Sequence, residues 1–155
     1  MKKILPYISV IAIAAFVGNM LVIGFGFGTY WESLDPIIFQ EQFTLQFPNL
    51  LPPTMGILLP ALIATIAMVV NTKGQKSTRK NWIIALLGLV IACSITAIYH
   101  LPTNLGFMES RYSSEEATSK LNLWMTLHWV RTFIVFISAI YSVKAFASTQ
   151  KNYNN

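Results

Sequence analysis

Residues 121–147 read LNLWMTLHWVRTFIVFISAIYSVKAFA. A run of this length exceeds the ~20 apolar residues that carry a helix across a ~30 Å hydrocarbon core. About ten residues inside it stands Arg131. A guanidinium at such depth costs at least ~2.5 kcal/mol on insertion scales, so it faces a partner or a polar cavity rather than lipid. Trp124, His128, Arg131, Val135, Ser138 and Ser142 recur at helical spacing and share one stripe. The run therefore reads as a transmembrane helix whose polar stripe points into the protein.

Three further stretches are long enough to cross: Leu5 to Gly28, Leu50 to Val70 and Trp82 to Tyr99. Composition agrees, with 54% of the 155 residues hydrophobic and 11% charged, against roughly 25% charged in a soluble domain. The expectation is an all-α membrane protein, one four-helix transmembrane bundle over 1–155, with helices at about 5–28, 50–70, 82–99 and 114–147. No internal repeat suggests a second unit. Lys2 and Lys3 ahead of an apolar run resemble a secretory signal, but the run continues past Phe16 to Phe27, longer than the ~7–15 residues of a signal's apolar region. It is read as a retained helix.

Basic residues give the orientation. Lys2, Lys3, Lys73, Lys76, Arg79, Lys80, Lys144 and Lys151 fall on one side, and all six acidic residues lie in the opposite connections. By the positive-inside bias both termini and the middle loop are cytoplasmic, in a multi-pass protein of the inner (cytoplasmic) membrane. The net charge of +5 is thus topogenic. A nucleic-acid partner is not expected, because the basic cluster from Lys73 to Lys80 is short and lacks interleaved aromatics. Cys93 is the lone cysteine, so there is neither an intramolecular disulfide nor a CxxC redox pair, which argues against a thiol-disulfide or vitamin K reductase type of four-helix enzyme.

The two outer connections carry their own signals. From Thr29 to Asn49, Phe39, Phe43 and Phe47 recur every four residues behind Asp35 and Pro36, a plausible N-cap and first helical position. This predicts a short amphipathic helix at the outer interface, serving as an aromatic anchor or as a lid. Between Leu101 and Lys120, Ser113 and Glu116 form a capping-box pattern that starts the last helix near Ser114. Pro102 predicts that helix three ends at His100 with an unwound turn.

Helix three offers a stripe of Cys93, Thr96 and His100, with Asn104 beyond it. Helix one adds Asn19 among Ala12, Ala15 and Phe16, and helix two adds Thr54, Ala61 and Thr65. Small and polar residues on such faces permit close helix packing in lipid. Counted from Leu121 at ~1.5 Å per residue, His128 and Arg131 sit in the outer half of the bundle, near the level of His100. Candidate catalytic residues are therefore His128, Arg131 and His100, with Trp124, Asn104 and Asn19 as candidates for substrate binding.

The spacing of Pro102 with Asn104, and of Trp124, His128 and Arg131, resembles the small four-helix membrane family that includes fungal anthrone oxygenases. That resemblance implies cofactor-independent oxygenation of a hydrophobic aromatic substrate by molecular oxygen. On this chain it would make His128 the general base, with His100 as second choice, and Arg131 the group that stabilises the enolate. Trp124 would stack on the substrate and Asn104 would hydrogen-bond its oxygen.

Other classes of function make different demands. A haem-binding electron carrier would use His100 and His128 as axial ligands. A metal site of the histidines with Glu109 lacks close ligand spacing, and none is expected. Small proton-coupled exporters need a carboxylate within the first helix, and none is there. A non-catalytic scaffold remains. Beyond the lipid bilayer, the partner is a hydrophobic small molecule if the stripe is a site; substrate and oligomeric state are not encoded in any motif.

Overall fold

The computed structural model describes residues 4–154. Four helices account for nearly all of them: α1 (Leu5–Glu32), α2 (Pro36–Asn71), α3 (Lys76–Met108) and α4 (Ser114–Asn154). All four are long and apolar enough to span a membrane, and no strand occurs among the described residues. The connections, 33–35, 72–75 and 109–113, are too short for anything but antiparallel neighbours. Contacts close the ring: α1 packs on α2 and α4, and α3 packs most extensively on α4, whereas α2 and α3 meet more sparsely. Large apolar side chains cover the outside, among them Phe25 at 69%, Ile98 at 78% and Phe133 at 66% exposure. Such a surface is stable only against lipid.

The helix predicted from Asp35 and Pro36 is present, and it runs on without a break into the second crossing. Asp35 caps it, its carboxylate accepting from the Ile37 N–H at 3.0 Å. Its buried face is not a surface anchor, because Phe39 and Phe43 are fully enclosed between Trp31 and Phe107. Four prolines, Pro48, Pro52, Pro53 and Pro60, lie within α2. Each removes a backbone donor and crowds the turn before it. Polar side chains bond backbone oxygens along the same stretch: Asn49 donates to the Leu45 carbonyl, and Thr54 to that of Leu50.

Helix three does not unwind at Pro102. A π-helical turn at Thr96–His100 precedes the proline, and the helix then continues to Met108. The wider turn relieves the clash that a proline ring makes with the carbonyl four residues back. Pro102 thereby occupies the first turn of a renewed α-helical segment, where its missing N–H costs little. A second π-helical stretch, Ile23–Gly28, carries α1 past the end expected at Gly28 and brings Trp31 into the core.

The capping box at Ser113 forms reciprocally. The Ser113 N–H donates to the Glu116 carboxylate at 3.0 Å, and the Glu116 N–H donates to the Ser113 hydroxyl at 3.4 Å. Between the helices, small residues set the spacing as predicted. Gly88 of α3 lies so close to α4 that an added Cβ would strike the Ser138 hydroxyl. Ser9 and Thr65 share a buried 2.7 Å bond between α1 and α2. Ala15 departs from the expected inner face and is exposed. Asn19 beside it is part-buried and donates to the Thr54 hydroxyl at 2.9 Å, so it ties α1 to α2.

Candidate functional site

All six residues of the α4 stripe are buried, with His128, Val135 and Ser142 at 0% exposure. Arg131 sits among neutral partners. One terminal nitrogen donates to the Thr96 hydroxyl at 2.9 Å, the other donates to His128 Nδ1 at 2.9 Å, and the guanidinium carbon lies 5.6 Å from the Trp124 ring centre. Its Nε is buried without a partner. Among the described residues it has no carboxylate; the ion pair found there joins Arg111 and Glu109 on the surface. A desolvated cation held only by neutral groups is a strong attractor for an anion.

The hydrogen bonds fix the state of His128. Its Nε2 lies 2.9 Å from the Met20 carbonyl, which can only accept, so Nε2 carries the proton. Nδ1 then supplies the lone pair that takes the Arg131 N–H. Both nitrogens are engaged and the imidazole is neutral. Access to the Met20 carbonyl depends on Gly24, where a Cβ would come within 2.7 Å of Trp129 and 3.0 Å of His128 Nε2.

His100 differs. Its Nδ1 is 3.5 Å from the Ile95 carbonyl, a long contact in which nitrogen must be the donor, while Nε2 is buried with no partner. The Trp124 indole stands between the two imidazoles. It stacks on His128 at 5.2 Å and 7°, and meets His100 edge-on at 4.9 Å. Trp124 Nε1 donates to Asn104 Oδ1 at 2.8 Å. An indole nitrogen can only donate, so this bond orients the amide and turns the Asn104 NH2 away from Trp124.

A cavity of about 110 Å³ lies beside this cluster, with all four helices contributing to its wall. Its polar lining is Arg131, Thr96, Asn104 and Thr54, and its apolar lining includes Met20, Trp31, Phe47 and Trp124. Of the six candidate residues, Arg131, Trp124 and Asn104 border it; His128 and His100 lie behind that wall, and Asn19 braces it through Thr54. The cavity is therefore not confined between α3 and α4. Rim residues Leu51, Met55 and Leu101 are exposed on α2 and α3, so its mouth faces lipid.

The model of the anthrone oxygenase family matches residues 39–141. The chain belongs to the anthrone oxygenase family. The matched segment holds His100, Asn104, Trp124, His128 and Arg131, whereas Asn19, Met20 and Gly24 lie before it. Neither curated proteins nor solved structures gave a match.

Sequence reasoning missed Trp31 and the Met20 carbonyl in this family member. Trp31 lies beyond the expected end of helix one, yet it meets Trp124 at 5.7 Å and donates from Nε1 to Gln46 at 2.8 Å. The signal available in α1 was Gly24 and Gly28, where an added Cβ would strike Trp129 and Met125 of α4. A backbone carbonyl leaves no sequence signal.

Proposed function

We propose that this protein is a membrane-embedded oxygenase for a hydrophobic aromatic substrate bearing an acidic, resonance-stabilised C–H, as an anthrone does. The observation that carries the reading is Arg131, an uncompensated guanidinium lining an otherwise largely apolar cavity. Loss of a proton from the substrate methylene places negative charge on its oxygen, and a preorganised cation in a low-dielectric pocket stabilises that charge as it develops. Thr96 and His128 hold the guanidinium in place. The Asn104 amide supplies a further donor, and Trp124 an aromatic face.

The reading assigns the base differently from the expectation drawn from sequence. His128 has no free lone pair, so it becomes the residue that positions Arg131. His100 keeps an unpartnered Nε2 behind the Trp124 indole, which makes it the better proton acceptor of the two imidazoles, reached from the cavity only when that indole turns aside. Molecular oxygen then adds at the deprotonated carbon, giving a hydroperoxide. Loss of water leaves a ketone: one methylene and one O2 yield one carbonyl and one water. The electrons come from the substrate, and no cofactor is needed.

A haem carrier draws little support from this geometry, because Trp124 separates the imidazoles and both nitrogens of His128 are already bonded. The test is turnover of anthrone by purified protein under 18O2. The reading expects one labelled oxygen in the anthraquinone and insensitivity to chelators. Product formed at the protein-free rate would overturn it.

A further inference from the structure

The shape of the cavity says more about the substrate than its charge does. At about 110 Å³ it is somewhat smaller than the ~150 Å³ cavity that holds one benzene ring in an engineered protein core, so it encloses a single ring and leaves the rest of a larger ligand at its open mouth. Its polar end is at Arg131, Thr96 and Asn104, and its open end is the lipid-facing gap edged by Leu51, Met55 and Leu101. That gap lies where α2 and α3 meet sparsely, and where Pro52 and Pro53 remove two consecutive backbone donors from α2.

We propose that the site takes one oxygen-bearing aromatic ring of its ligand, admitted sideways from the bilayer between α2 and α3, with the ligand's apolar remainder or tail left in lipid. The oxygen on that ring meets the Arg131 guanidinium, whose Nε is the nitrogen without a partner, at the polar end. Leu51, Met55 and Leu101 grip the first segment of the tail at the mouth. A ligand of this kind matches both ends of the cavity: an acceptor oxygen for a site lined by donors, and an aliphatic stem for a rim that is itself aliphatic. The proposal rests on Arg131 acting as the oxyanion partner, and it adds the size and route of the ligand.

The test uses full-length protein in phosphatidylcholine vesicles with radiolabelled 4-octylphenol as the probe. Binding is measured above partitioning into protein-free vesicles. Saturable binding is expected, weakened about tenfold or more in Arg131→Leu, as loss of a charge-assisted hydrogen bond implies. Leu101→Trp and Leu51→Trp, both on the lipid-facing surface, should slow association while leaving the thermal midpoint unchanged. No saturable octylphenol binding, or association rates untouched by both rim variants, overturns the proposal. Anthrone binding without octylphenol binding overturns it and leaves the oxygenase reading standing, whereas absence of binding by either compound removes both.

Discussion

Arg131 donates to Nδ1 of His128 at 2.9 Å, and the same imidazole donates from Nε2 to the Met20 carbonyl at 2.9 Å. The guanidinium is thus anchored through a neutral ring to the backbone of another helix. His128→Phe leaves a cationic N–H of Arg131 unpaired in the core and removes the imidazole bond to the Met20 carbonyl. It should lower stability by about 2–4 kcal/mol, read as a fall in the detergent melting temperature. His100→Phe frees no comparable donor and should melt close to wild type while turnover drops by about 10²–10⁴, the usual worth of a general base. Equal melting of the two variants would contradict this division of roles.

The Trp124–Asn104 bond orients the amide of a residue that lines the cavity. Trp124→Phe keeps the aromatic stack on His128 and removes the donor, so its cost should be about 1 kcal/mol. Combined with Asn104→Ala, the pair should be non-additive in both stability and substrate affinity, because each single variant already breaks the same bond. Strict additivity would show that the bond does no orienting.

Gly24 and Gly18 make a controlled comparison on one helix. A methyl at Gly24 would collide with Trp129 and crowd His128, whereas a methyl at Gly18 meets nothing within 4 Å. Gly24→Ala should cost about 1–3 kcal/mol, in line with overpacking a filled core, and should reduce turnover as His128 is pushed from Met20. Gly18→Ala should stay within about 0.5 kcal/mol of wild type. Melting curves of the two variants decide the matter.

Much of this architecture can be read from the chain. Apolar runs give the four crossings, and the stripe from Trp124 to Ser142 follows from helical period alone, because lipid on one side and partner helices on the other enforce it. Ser113 with Glu116, and Asp35 with Pro36, announce their helix starts because caps are local chemistry. Pro102 misleads for a physical reason: a π-helical turn absorbs the ring, and nothing local in Thr96–His100 declares that turn. The candidate site is legible as a set of residues but not as a division of labour. Which imidazole keeps a free lone pair depends on a carbonyl in α1, more than a hundred residues away.

Stability and function should also part company at Arg131. Removing an uncompensated buried cation relieves its desolvation cost, which offsets the bonds lost at Thr96 and His128 Nδ1. Arg131→Leu should therefore melt at or above wild type, yet lose about 10²–10³ in kcat, the size expected for one removed oxyanion partner. A variant that both unfolds and inactivates would make the arginine a structural charge.

The most direct measurement is the ionisation of a bound phenol. A hydrophobic nitrophenol, coloured only as its anion, can be titrated in vesicles with and without the protein. Stabilisation of an oxyanion by Arg131 moves the titration midpoint of the bound dye down by about 1–3 pH units, and Arg131→Leu abolishes that displacement. A midpoint that stays put, or rises as it would in a merely apolar cavity, would contradict the claim that this buried cation exists to hold a substrate's negative charge.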